Sequence, residues 1–255
     1  MSDVDAHMTA GDLTHMVAVI TGGGRGIGRA TAIRLAAAGA TVVVVARSHT
    51  DLDAVVDEIG KAGGSALAFP ADVTDAAEID GLAGWLSQRF EAVDLLVNCA
   101  GAALIAPLEK ISESDWDRVI DTNLKGTFLV IRALLGLLRA ADGALVVNLA
   151  SKVGLTGHQQ VTAYTAAKAG VIGLSRALAK ELRPAGIRVN TLCPGPVDTP
   201  MRWKATPDID PSLLLSAQTV ADTVLFLATL RHAAVAGELI LEAPDYDPAY
   251  VSLQQ

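Results

Sequence analysis

Apolar residues along the chain fall into short runs separated by helix-period stretches. The runs Met16–Thr21, Thr41–Ala46, Ala66–Phe69, Asp94–Asn98, Ala144–Leu149, Ile187–Leu192 and Leu239–Leu241 are rich in Val, Ile and Leu. Runs of this kind predict strands buried on both faces. Between them lie six stretches of helical pattern: Ile27–Ala38, Asp51–Ala62, Ala76–Phe90, Ser114–Ala140, Ala163–Arg183 and Thr219–Leu230. Regular strand–helix alternation predicts an α/β fold, a doubly wound parallel seven-stranded sheet with helices on both faces. These elements occupy nearly all of residues 16–245, and no linker or repeat divides them, so one domain is expected. Residues 1–15 are polar and acidic and read as a frayed tail, and 246–255 as a C-terminal tail. Ligands of such sheets bind beyond the carboxyl ends of the strands, where the strand order switches.

Composition narrows the function classes. Hydrophobic residues make up 51% of the 255, yet no apolar run reaches the roughly 18 residues of a membrane span. Net charge is −8, which argues against nucleic acid as a main partner. Cys99 and Cys193 lack metal-ligand or CxxC spacing and read as small core residues. The N-terminus has no apolar core of a signal peptide, so a cytoplasmic protein without a membrane partner is expected.

The first strand runs into Thr21-Gly22-Gly23-Gly24-Arg25-Gly26-Ile27-Gly28, which opens the first helix. Glycines allow a tight turn and close backbone approach, and a helix N-terminus attracts anions, so the segment suits a pyrophosphate. Its spacing is neither GxGxxG nor a P-loop. At the end of the second strand, where NAD readers place an acid for the ribose 2′-hydroxyl, stand Arg47 and Ser48. Arg47 is either a fork of donors for a 2′-phosphate, with Arg25 helping, or a solvated strand-end charge. The first reading makes NADP(H) the preferred cofactor, with NAD(H) possible.

Tyr164 and Lys168 are four residues apart in an Ala-rich helical stretch, on one face and a turn apart. A nearby ammonium lowers a phenol's pKa, which predicts a usable acid or base near neutral pH. Alone the pair is weak, because such spacing arises by chance. Ser151 lies just past the fifth strand, where a hydroxyl can polarise a substrate oxygen. Asn123 falls early in the long helix 114–140; an amide there either faces solvent or bends the helix.

Together these residues resemble the short-chain dehydrogenase/reductase family, in its compact, Rossmann-like, 3-oxoacyl reductase-like branch. The resemblance covers about Val17 to Leu241. The loop Thr21–Gly28 is similar to the family's TGxxxGxG, Asp72-Val73 to the pair that holds adenine, and Asn98-Cys99-Ala100-Gly101 to NNAG. Pro194, Gly195, Val197 and Thr199 lie in a segment like the PGxxxT that contacts the nicotinamide end. Asn123, Ser151, Tyr164 and Lys168 match the catalytic tetrad. The resemblance implies that Tyr164 moves the proton, Lys168 binds the nicotinamide ribose and tunes Tyr164, Ser151 orients the carbonyl, and Asn123 holds a water leading to Lys168. The implied reaction is hydride transfer between a nicotinamide and a small carbonyl or secondary alcohol, of ketone, aldehyde or 3-oxoacyl type. A non-catalytic NADP-binding regulator on the same fold is the alternative.

Two departures stand out. Cys99 replaces the second Asn of NNAG, and the last strand is followed by Pro244 and Pro248, which cannot sit inside a central strand. The tetramer contact usual there is in doubt, and a homodimer through 114–140 and 163–183 is expected, with a homotetramer as the other possibility. Met201–Ser216 is short for a substrate lid. Its Trp203 either closes over the nicotinamide or packs beneath a loop, and His158 either contacts substrate or is an ordinary loop residue. No basic cluster is visible near the site, which favours a neutral substrate over a small dicarboxylate.

Overall fold

The computed structural model describes residues 12–230 and 237–244. Its sheet has seven strands, all parallel: β1 (Val17–Thr21), β2 (Thr41–Ala46), β3 (Ser65–Pro70), β4 (Leu95–Asn98), β5 (Leu145–Leu149), β6 (Arg188–Pro194) and β7 (Glu238–Leu241), in the order β3-β2-β1-β4-β5-β6-β7. The order reverses between β1 and β4. Their carboxyl ends, in register at Thr21 and Asn98, therefore flank the crevice where a ligand of such a sheet belongs. The helices are α1 (Gly26–Ala37), α2 (His49–Lys61), α3 (Ala76–Ser87), α4 (Glu113–Ile120), α5 (Gly126–Ala140), α6 (Val153–Thr156), α7 (Thr162–Glu181), α8 (Pro200–Ala205) and α9 (Ala217–Thr229).

Buried β-branched and Leu side chains form a core on each face of the sheet. One cluster packs Ile20, Val42, Val44 and Val97 against α1, α2 and α9; the other packs Val43, Leu96 and Val146 against α3 and α5. Both faces of every central strand are covered, which is why those strands read as unbroken apolar runs rather than alternating ones.

The predicted elements appear within a few residues of their expected bounds, with two corrections. The expected helix 114–140 is interrupted: Asp121–Lys125 forms a π-helical turn between α4 and α5. The short helices α6 and α8 were not anticipated. The tail expected to run to His15 stops earlier, because Leu13 is 1% exposed and its N–H donates to the Ala38 carbonyl at 2.7 Å. An apolar side chain three residues before the strand run, which starts at Met16, is enough to dock the segment beneath α1. The rest of that tail, and the tail assigned to 246–255, lie outside the described residues. β7 ends at Leu241, before Pro244, as the proline requires. Among the described residues no helix is long and apolar enough to cross a membrane.

Candidate active site

The glycine loop is shaped by contacts within the protein. Gly22 takes φ +65°, and a Cβ there would lie 2.9 Å from the Ala100 backbone, so only glycine lets the loop after β1 meet the loop after β4. At Gly28 an added Cβ would stand 2.2 Å from the Gly22 carbonyl oxygen, which forces the first turn of α1 against the loop. The N-cap of α1, Arg25, offers no side-chain acceptor, and no acid occupies its first turn. The N–H groups at this 12-residue helix's start therefore point into the crevice with the positive end of the helix dipole behind them, a fit for a pyrophosphate.

The rim beside this loop is mixed in charge. The Arg47 guanidinium lies 3.6 Å from the Asp72 carboxylate and is 76% exposed, so it reaches outward rather than being held in place. Asp72 accepts from the Thr74 N–H at 2.9 Å and from its hydroxyl at 2.8 Å. Burial raises its pKa, but these bonds and Arg47 outweigh that and hold it below the usual carboxylate value. The Ser48 hydroxyl caps α2, accepting from the Asp51 N–H.

At the ends of β5 and β6 the chain assembles a second group. The Ser151 hydroxyl stands near enough to the Tyr164 phenol to lower its pKa, and it lies 3.4 Å from the Pro194 carbonyl. Lys168 is only 4% exposed, its Nζ donating to the Leu149 carbonyl at 2.6 Å and standing 5.5 Å from the centre of the Tyr164 ring. Asn123 is buried within the π-helical turn. Its Nδ2 donates to the Ala102 carbonyl at 2.7 Å and the Val119 carbonyl at 2.8 Å, while its Oδ1 has no hydrogen-bond partner. That oxygen lies 2.8 Å from where a Cβ on Gly101 would stand, with Lys168 Nζ 3.8 Å from the same point. A buried, unpartnered acceptor between Gly101 and the lysine is where a bridging water would be satisfied.

The expected lowering of the Tyr164 pKa is not found. Burial pushes the phenol up to about 12, against which the nearby Ser151 hydroxyl and the Arg202 charge act only in part. Lys168 itself is pushed down to about 8 by burial. The helical spacing does place the lysine beside the tyrosine, but against its ring, with the ammonium turned to a backbone carbonyl; desolvation of both groups then dominates.

One cleft of ≈ 1760 Å³ runs from Arg47 and Asp72 past the glycine loop to Ser151, Tyr164 and Lys168. Most of the expected residues line it: Gly22, Gly24, Arg25, Gly26, Ile27 and Gly28 from the loop; Ser48, Val73, Ala100 and Gly101 beside it; and Pro194, Gly195, Val197 and Thr199 after β6. Two expected cofactor residues do not reach it. Thr21 is buried with its hydroxyl accepting the Ala100 N–H at 3.2 Å, and Asn98 is buried with its Nδ2 donating to Asn148 Oδ1 at 2.9 Å. Both are strand-end residues whose side chains turn into the sheet. Trp203 does not line the cleft either, as its Nε1 donates to the Asp198 carboxylate at 2.6 Å. His158 does line it, its Nδ1 lying 2.8 Å from the Gln159 carbonyl.

Three residues that sequence reasoning passed over matter here. Asn148 Nδ2 donates to the Ser175 hydroxyl, which donates to the Val171 carbonyl, so a buried polar chain joins β4, β5 and α7. An Asn in an otherwise apolar strand was the signal for Asn148. Arg202, the third, lines the cleft from α8, a helix too short to betray itself by periodicity.

A family model described as short chain dehydrogenase matches residues 16–210. The chain belongs to this family. It is 40% identical over 237 residues to the (2S)-[(R)-hydroxy(phenyl)methyl]succinyl-CoA dehydrogenase subunit BbsD of Thauera aromatica, covering 89% of this chain and 95% of that one. It is 41% identical over 232 residues to a 3-oxoacyl-[acyl-carrier-protein] reductase of Synechocystis, covering 87% and 92%. Among solved structures, a dehydrogenase/reductase from Sinorhizobium meliloti 1021 matches with a TM-score of 0.83 at 33% identity, covering 91% and 96%. This short-chain dehydrogenase is therefore an oxidoreductase of CH–OH and C=O groups that binds NAD(P)(H).

Proposed function

We propose that the chain is an NADP(H)-dependent enzyme that interconverts a small carbonyl compound and its secondary alcohol, with Tyr164 as the general acid–base. The convergence of Ser151 and Tyr164 on one cleft, with Lys168 buried one turn further along α7, carries this reading. When bound, the reduced nicotinamide supplies the hydride to the carbonyl carbon. Tyr164 delivers its phenolic proton to the carbonyl oxygen as negative charge develops there. Ser151 donates a hydrogen bond to the same oxygen and aligns it. The Lys168 ammonium sits beneath the ring, where it stabilises the phenolate left behind, and Asn123 Oδ1 holds the water through which a proton returns. In the alcohol-oxidising direction the same groups act in reverse.

The cofactor's pyrophosphate is assigned to the backbone of Gly22–Gly28, its adenine to the Asp72–Val73 wall, and its 2′-phosphate to Arg47, with Ser48 and Arg25 alongside. Absence of an acid at the end of β2 supports NADP over NAD. Partly exposed Phe128 on α5 and Trp116 on α4 support a homodimer through these helices and α7.

The test is turnover of a panel of ketones, aldehydes and 3-oxoacyl thioesters with NADPH, by wild type and Tyr164→Phe. Wild-type turnover that Tyr164→Phe loses, with NADPH binding retained, is the expected result. A variant that keeps more than a small share of the activity removes Tyr164 from the role. A wild type that binds NADPH and reduces nothing favours a non-catalytic, cofactor-sensing protein.

A further inference from the structure

The turn that carries Ser151 is fastened to the end of the neighbouring strand, and through it to the last one. The Ala150 N–H donates to the Leu192 carbonyl at 2.8 Å, and the Lys152 N–H to the Pro194 carbonyl at 3.0 Å. The Ser151 hydroxyl lies 3.4 Å from that same Pro194 carbonyl. Pro194 is in register with Leu241 of β7, and the Gly195 N–H donates to the Leu241 carbonyl at 2.8 Å. Beyond the turn, α6 lies close against α7: a Cβ on Gly154 would stand 2.8 Å from the Lys168 carbonyl carbon. A shift of this turn therefore moves Ser151 relative to both Pro194 and Lys168.

One side-chain contact spans the same three strand ends. Lys152 Nζ donates to Glu242 Oε1. Lys152 adjoins Ser151 and lines the cleft, and its side chain is only 18% exposed. Glu242 stands between Leu241, the last residue of β7, and Ala243, which is 5% exposed within the core, so its Cα is held from both sides. Its own side chain is 35% exposed, and it does not line the cleft. Withdrawing two charges from water is costly, and an apolar pair of similar size would stabilise the fold as well or better. What an ion pair adds is direction, because the ammonium is satisfied only where the carboxylate stands.

Building on the reductase reading above, we propose that Glu242 is a positioning residue for the reaction: through its ion pair with Lys152 it fixes the turn so that the Ser151 hydroxyl meets the carbonyl oxygen that Tyr164 protonates. The end of the last strand thus acts on the chemistry through the neighbour of Ser151. A displaced Ser151 loses its hydrogen bond as charge develops on the oxygen, while the rest of the cleft still holds substrate and cofactor. The loss therefore falls on kcat rather than on KM.

The experiment uses wild type, Glu242→Gln, Lys152→Glu and the double variant Lys152→Glu with Glu242→Lys. It measures kcat and KM for a carbonyl substrate of the panel, NADPH affinity by titration, and hydrogen exchange of the cofactor-free protein over residues 150–157. Glu242→Gln should lower kcat by roughly ten-fold to a hundred-fold and leave KM and NADPH affinity close to wild type. Exchange should quicken over 150–157 and stay unchanged in β1 and α1, which shows that the variant is folded. Lys152→Glu sets two carboxylates together and should lose kcat likewise. The double variant restores an ion pair of reversed polarity and should recover most of what Lys152→Glu loses. An unchanged kcat in Glu242→Gln, or a double variant no better than Lys152→Glu, overturns the proposal and leaves the reductase reading intact. So does a fall in kcat matched by an equal loss of NADPH binding, which marks a fold-wide defect. Should the wild type reduce no carbonyl, the reductase reading falls and exchange alone decides whether Glu242 holds the turn: faster exchange over 150–157 in Glu242→Gln supports it, and unchanged exchange overturns it.

Discussion

Lys168 offers the most direct physical test of the site, because its burial has a consequence for stability that needs no substrate. The side chain is 4% exposed, and burial shifts its pKa from 10.5 to about 8. In the unfolded chain the ammonium keeps its ordinary value. Below pH 8 both states carry the proton, and the folded state bears the full cost of a desolvated charge, roughly 3 kcal/mol for a shift of this size. Between pH 8 and 10.5 the unfolded state binds the proton and the folded state releases it. Stability contributed by this residue therefore rises with pH across that window.

The perturbation is Lys168→Met, which keeps the length and removes the charge. It also strips the Leu149 carbonyl of a donor now at 2.6 Å, a loss of about 1–3 kcal/mol. At pH 7 the two effects oppose each other, so the sign of the change there is uninformative. The pH dependence of the difference is informative, because every other titrating group is common to both proteins. Urea unfolding of cofactor-free protein at pH 7 and pH 10 should show wild type gaining about 2.5 kcal/mol relative to the variant. A difference that stays flat, or shrinks, would refute the claim that Lys168 is a buried ammonium poised by desolvation.

Other consequences are checked more simply. Arg47→Asp should raise the dissociation constant for NADP by roughly ten-fold or more while affecting NAD less; equal effects in a titration with both cofactors would remove Arg47 from the 2′-phosphate. Gly28→Ala places a Cβ 2.2 Å from the Gly22 carbonyl, so it should abolish cofactor binding. Gly84→Ala in α3 meets nothing within 4 Å and should raise stability by roughly 0.5–1 kcal/mol. If the two glycine variants bind cofactor alike, the loop contact does not constrain the site. Ser175→Ala leaves Asn148 Nδ2 buried without its acceptor, and urea unfolding should show a loss of about 1–3 kcal/mol.

The architecture was legible because each of its signals is local. The five inner apolar runs read as strands since each is covered on both faces, and the glycine loop reads as a turn because the backbone at Gly22 admits no Cβ. The parts that sequence reading missed depend on where side chains turn after folding. Thr21 and Asn98 sit at strand ends beside the crevice, yet alternation along the strand sends their polar atoms into the sheet, to Ala100 and Asn148. Asn123 sits in a helix-period stretch, but no periodicity reveals that the helix widens into a π turn there and frees Oδ1 toward Gly101. Spacing placed Tyr164 and Lys168 together correctly and still misjudged their titration. A spacing argument counts the charge of the neighbour, while the folded site also withdraws both groups from water, and at this depth the second effect is larger. The same asymmetry explains Arg202: one cation on a six-residue helix is invisible as a cluster, yet within a half-enclosed cleft a single charge suffices to reach the phenol.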